Sequence, residues 1–160
     1  MKTDRSPLLV MGYGNPARGD DGLAPAFIER LRHLNLAGVE TRVEYQLCVE
    51  YALELGNYER VVFVDASLET TPPFRHALLG PDAARHLDTH GLSPGALIFL
   101  AETLFGGVPS ASLLAIRGYQ FQPFVESLCP AAEKNLSLAL EYFVGWIGKQ
   151  YPRDALAGGV

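Results

Sequence analysis

The stretch from Leu8 to Gly22, Leu-Leu-Val-Met-Gly-Tyr-Gly-Asn-Pro-Ala-Arg-Gly-Asp-Asp-Gly, constrains this chain more than any other segment. Leu8 to Met11 is apolar without alternation, the pattern of a strand buried on both faces of an α/β sheet. Gly12, Gly14 and Gly19 permit positive φ and close backbone approach, and Asn15-Pro16 suits a turn. From Gly22 onward Leu23, Phe27, Ile28, Leu31 and Leu34 recur at helical spacing. The segment therefore predicts a strand, a glycine-rich turn and a helix, with Asp20 and Asp21 delivered to the helix start.

Three chemistries suit such a turn. An aspartate before a helix commonly serves as an N-cap and complements the helix dipole, which accounts for one of the two acids. Gly12, Gly14 and Ala17 also satisfy the dinucleotide pattern G-x-G-x-x-A. A pyrophosphate, however, needs free N–H groups at the helix N-terminus, and here two anions occupy that end. No Lys-Ser/Thr follows the glycines, which excludes a Walker loop. In the third reading one carboxylate caps the helix and the other points outward as a ligand for a hard cation or metal.

With 160 residues, 48% of them hydrophobic and 19% charged, the chain is expected to form one domain over residues 1–160 with a substantial core. A net charge of -5 and scattered Lys and Arg make nucleic acid and anionic membrane poor partners. No apolar run approaches the roughly 20 residues that span a bilayer, and the first residues carry no signal-peptide pattern, so the expected location is the cytoplasm. Cys48 and Cys129 lack paired metal spacing and read as buried thiols rather than a disulfide.

Along the chain, Val39 to Leu47 alternates apolar and polar residues, as an outer strand would. Cys48 to Tyr58 carries Val49, Ala52, Leu53 and Leu55 at helical spacing and stops at Gly56-Asn57, with Glu50 in its first turn, where it would complement the dipole. Arg60 to Ser67 holds four consecutive apolar residues and then Asp65, a buried parallel strand that brings a carboxylate to the sheet's carboxyl edge. Open α/β sheets hold ligands at that edge. Asp65 alone could equally cap a turn, but two neighbouring strands ending in acids would bring Asp21 and Asp65 to one crevice. His76 to Leu79 fits a short, antiparallel edge strand. Ser93 and Pro94 form an N-cap and first helical position for a helix through Leu104, which leaves His90 in the loop just before it. His86 and His90 have the spacing of a helical metal pair, yet Asp88, Thr89 and Gly91 oppose a continuous helix, so His86, like His33, reads as a surface residue. Ala111 to Gly118 is another buried strand, Tyr119 to Leu128 is aromatic-rich and irregular, as part of a substrate groove or of the core, Pro130 to Ile147 is the final helix, and Asp154 to Val160 reads as a frayed tail.

Gly12 to Gly22, Gly-Tyr-Gly-Asn-x4-Asp-Asp-Gly, resembles the opening signature of the nickel-iron hydrogenase maturation endopeptidases. The resemblance extends over roughly Leu8 to Ile147. It matches Asp21, the acid directly before the glycine, Asp65 in its Val-Asp-Ala context and His90 before a helix to that family's metal-binding residues. Members often carry a glutamate near Glu50 and commonly show glycine and then Leu-Ser at the end of the aromatic stretch. This chain has Phe124-Val125-Glu126-Ser127-Leu128-Cys129 instead, a departure that touches the groove and not the metal positions.

Alternating strand and helix patterns predict a three-layer α/β/α sandwich with a mainly parallel sheet of about five strands, of phosphorylase/hydrolase-like type. The resemblance implies an endopeptidase that removes the C-terminal extension of a nickel-iron hydrogenase large-subunit precursor after nickel insertion. Asp21, Asp65 and His90 would then sense nickel presented by that precursor. Two carboxylates and an imidazole suit a borderline divalent metal, so other divalent ions could substitute. No Ser-His-Asp or Cys-His motif designates a nucleophile. Two alternatives stay open: a non-proteolytic hydrogenase assembly chaperone, and a nucleotide-binding module whose expected acid after the second strand would have to be Glu44, inside the strand pattern.

Overall fold

The computed structural model describes residues 6–80, 87–88, 91–107 and 110–151. His86, His90 and the expected tail from Asp154 lie outside them. Five strands form one sheet: β1 (Ser6–Tyr13), β2 (Val39–Glu44), β3 (Tyr58–Ser67), β4 (Phe74–Leu78) and a later strand beyond two short pieces, β5 (Leu87–Asp88) and β6 (Gly91–Leu92), which pair with each other. That later strand is β7 (Ala111–Arg117), and the spatial order is β2-β1-β3-β7-β4. All neighbours run parallel except β4, which pairs antiparallel with β7 at the edge. The expected outer position of the second strand and the antiparallel edge are both present.

The period of two along each strand divides the core. Val10, Val62, Val64, Leu114 and Ile116 face a layer built from α1 (Leu23–His33) and α4 (Pro130–Gln150). Leu9, Met11, Val61 and Phe63 face the other layer, which contains α2 (Tyr51–Glu54) and α3 (Pro94–Phe105). A strand covered on both sides has no use for polar residues, which is why Leu8 to Met11 reads as an unbroken apolar run and is fully buried. Ser93 caps α3 by accepting a hydrogen bond from the Ala96 amide, Pro94 fills the first helical position, and Gly106 ends the helix at φ 83°.

The segment Cys48 to Tyr58 departs from the expected helix. Only Tyr51–Glu54 is α-helical, and a 3₁₀ turn over Leu55–Asn57 follows at once. The apolar positions that suggested a longer helix divide between two environments: Ala52 and Leu55 are buried, whereas Val49 and Leu53 are exposed. Both cysteines are free thiols, partly rather than fully buried.

Connectivity creates a crevice. The chain leaves β1 through α1 on one face toward β2, and leaves β3 toward β7 by way of α3 on the other face. The carboxyl ends of β1 and β3 thus form a topological switch point. The packing behind it centres on Phe27 of α1 and Phe143 of α4, whose rings meet edge to face at 5.4 Å. Phe143 is fully buried, so Phe143→Ala should lower stability by about 3–5 kcal/mol, measured as the loss in unfolding free energy in urea.

Candidate functional site

The turn after β1 closes through a 3₁₀ turn, Gly19–Gly22, that leads straight into α1. Gly14 has φ 152°, and a Cβ there would lie 2.2 Å from the Asp21 carbonyl oxygen. Only glycine lets the strand end pass so close to the returning chain. The Asp21 carboxylate accepts a hydrogen bond from the Asn15 amide at 2.8 Å, and the Asn15 side-chain oxygen accepts one from the Ala17 amide at 2.9 Å. Asp21 is therefore held across the mouth of the glycine turn.

Asp20 does not cap the helix that follows it. Neither the 3₁₀ turn nor α1 has a side-chain cap hydrogen bond. Asp20 is instead fully buried and points away from its own helix. Its Oδ2 accepts from the Tyr119 and Gln120 amides at 2.8 and 2.9 Å and from the Cys129 thiol at 3.1 Å, and its Oδ1 accepts from the Cys129 amide at 2.8 Å. Burial alone would raise its pKa; the amides of Cys129, Gln120 and Tyr119 and the thiol outweigh that and hold the carboxyl below the usual range. The same bond pushes the Cys129 thiol up, after burial as the larger cause. The acid pair is thus split between a structural anchor, Asp20, and an outward group, Asp21, but by remote backbone partners and not by capping.

Asp65 lies on β3, on the α2/α3 face with Val61 and Phe63. Gly12 pairs with Val64, so the next step brings Tyr13 beside Asp65, and the Tyr13 hydroxyl donates to Asp65 Oδ2 at 3.1 Å. Burial is the main force on this carboxyl. The Tyr13 bond favours its charged form, the Asp21 charge opposes it, the Ala66 amide favours it, and the balance lies at about 7. Tyr13 is raised well above its ordinary value by burial first, then by Asp65 and by Asp21. The Asp21 charge thus acts on both Asp65 and Tyr13, whose hydroxyl bonds Asp65.

Such a pair suits a divalent cation. Two carboxylates that act on each other repel, and a positive ion between them would relieve the repulsion. Oxygen donors of this kind, with an imidazole, fit a borderline ion. Among the described residues no three His, Cys, Asp or Glu side chains are grouped to hold a metal, and His90 lies outside those residues. Leu92 packs against the α2/α3 core. Glu50 is exposed at the start of α2, and His33 is exposed on α1 with its Nδ1 2.7 Å from the Glu29 carbonyl.

Sequence reasoning missed Tyr13. The signal was available: Leu9, Met11 and Tyr13 alternate onto the face that Asp65 shares one strand away. The dinucleotide alternative also gains a detail, because Glu44 is the last residue of β2 and not inside it. It is engaged by the Tyr51 hydroxyl. The aromatic stretch after β7 is irregular as expected, with Val125 bridged to Arg18 and Phe124 almost wholly exposed at φ 65°.

No protein-family model matches the chain, and no curated protein matches it in sequence. Solved structures do. A hydrogenase maturation protease HycI from Thermococcus kodakarensis superposes with a TM-score of 0.68 at 20% identity, over 89% of this chain and 93% of that one. A hydrogenase 2 maturation peptidase from a Thaumarchaeota archaeon gives 0.65 at 21% identity, over 89% and 98%. The hydrogenase maturating endopeptidase HybD from E. coli gives 0.65 at 18% identity, over 90% and 93%. The fold is that of the hydrogenase maturation proteases. The maturation-protease fold thus carries, in this chain, an acid pair at its switch point that is anchored through Asp20. Asp20→Ala would leave three amides and a thiol without their acceptor, and should cost at least about 3 kcal/mol of stability in chemical denaturation.

Proposed function

We propose that this chain is a hydrogenase maturation endopeptidase that removes the C-terminal extension of a nickel-iron hydrogenase large-subunit precursor after nickel insertion. What supports this reading is the parallel pairing of β1 with β3, which brings Asp65 beside Tyr13 and within reach of the Asp21 charge, in the fold of the maturation proteases. Asp21, Asp65 and His90 would engage the nickel that the precursor presents, and its charge would polarise the scissile carbonyl or a bound water. The metal is cargo of the substrate, so the chain's own residues have the task of recognition and placement. The Asn15 amide fixes Asp21, and the Tyr13 hydroxyl fixes one oxygen of Asp65 while the carboxylate's remaining lone pairs stay available. A precursor lacking nickel would meet two repelling acids and dock poorly, which ties cleavage to completed metal insertion. No nucleophile is assigned.

The intact mass of the hydrogenase large subunit, isolated from nickel-grown cells with and without this gene, tests the reading. Retention of a C-terminal extension only when the gene is absent is the expected result. An unchanged mass would overturn the endopeptidase function and favour a non-proteolytic assembly role. In the complemented strain Asp21→Asn and Asp65→Asn should each abolish processing. Asp21→Asn keeps an acceptor for the Asn15 amide, so its melting temperature should remain within a few degrees of the parent protein; normal processing by a folded variant would refute the assignment.

A further inference from the structure

A second polar constellation lies at the opposite end of the sheet and on its other face. Ser112 pairs with Val62 near the start of β7, three residues before the pairing of Ala115 with Asp65. Across the antiparallel edge His76 pairs with Leu114, so His76 and Ser112 share the α1/α4 face, beneath the last turns of α4. His76 Nε2 is 2.7 Å from the buried Ser112 hydroxyl, and His76 Nδ1 is 2.8 Å from the Tyr142 hydroxyl. Burial and the nearby Arg60 charge keep this imidazole below its ordinary pKa, hence neutral.

Proton counting then leaves a donor over. A neutral imidazole offers one N–H and one acceptor nitrogen, and the two hydroxyls add two protons. Two hydrogen bonds consume two of these three. Whichever tautomer is present, the third proton belongs to the hydroxyl that accepts from the ring, and His76 cannot take it. Beside this chain Arg60 donates one N–H to the Gln150 side-chain oxygen at 2.6 Å and lies with its guanidinium 5.4 Å from the Trp146 ring. Its other N–H groups have no acceptor among the described residues. Arg60, His76, Ser112, Tyr142, Trp146 and Gln150 line one cavity of about 380 Å³. Arg60 supplies its formal charge, and no described carboxylate lines it.

We propose that this cavity binds a small organic carboxylate, whose oxygens accept from the Arg60 guanidinium and from the spare hydroxyl while its apolar body lies against Trp146. A guanidinium fork matches a carboxylate in geometry as well as charge. The pocket combines an aromatic wall with a few convergent donors, the usual make-up of a small-molecule site. This site is independent of the acid pair, because it differs from it in both the end and the face of the sheet.

Trp146 is the chain's single tryptophan, so its fluorescence reports on the cavity directly. The full chain would be titrated at neutral pH and constant ionic strength with butyrate and with cyclohexanecarboxylate, and in parallel with their neutral amides. Expected is a saturable change in emission with at least one carboxylate, half-complete below about 10 mM, with the amide about tenfold weaker or more. Arg60→Gln should weaken the carboxylate by about tenfold or more at an unchanged melting temperature, and whichever of Tyr142→Phe and Ser112→Ala removes the spare hydroxyl should weaken it to a smaller extent. Absence of saturation with both carboxylates, equal response to acid and amide, or unchanged binding in Arg60→Gln would each overturn the proposal. If Arg60→Gln fails to fold, the acid-against-amide comparison decides.

Discussion

The buried carboxylate of Asp20 holds together the parts of the molecule on which the crevice depends. An unpaired anion in a protein interior costs several kcal/mol, and this one is tolerable because four donors converge on it. Those donors come from positions 99 to 109 residues away in sequence, in the loop after β7 and at the start of α4. Backbone bonds reinforce the same junction: the Asp20 amide to the Gln120 carbonyl, the Gly19 amide to Val125 and the Val125 amide to Ala17. Gly118 makes the approach possible, since a Cβ there would stand 3.0 Å from the Asp20 Cβ and 3.1 Å from Leu23. The turn carrying Asp21 is therefore fixed from below by its neighbour in sequence, with no contribution from a helix cap.

Much of this frame was legible in the residues. Unbroken apolar runs at Leu8 to Met11 and in β3 could only be strands covered on both sides, and alternation with helical patterns gave the layers. Ser93-Pro94 marked the start of α3 because capping is local chemistry, decided within four residues. The pairing of β1 with β3 was assumed from the residues rather than dictated by them, and the structure supplies it. The true role of Asp20 was not legible. Local rules assign an aspartate at a helix start to capping, and nothing near position 20 announces amides at 119, 120 and 129 that need an acceptor. The short α2 escaped for a similar reason, because periodicity counts Val49 and Leu53 as core where tertiary packing leaves them exposed.

The three acids of the crevice are distinguished by how fully the protein satisfies them. Asp20 is surrounded by donors and held ionised, so it has no capacity for a ligand. Asp21 receives one amide bond, from Asn15. Asp65 receives the Tyr13 hydroxyl and the Ala66 amide, and these do not offset its burial and the charge of Asp21. A partly buried carboxylate whose donors do not offset its desolvation is unfavourable for folding by itself. Tyr13 moderates that deficit without removing it: its hydroxyl donates to one oxygen of Asp65 and cannot neutralise either charge. The Asp20 junction and the acids at the switch point thus belong to one arrangement, in which a saturated carboxylate fixes the turn that carries Asp21, whose charge acts on Asp65.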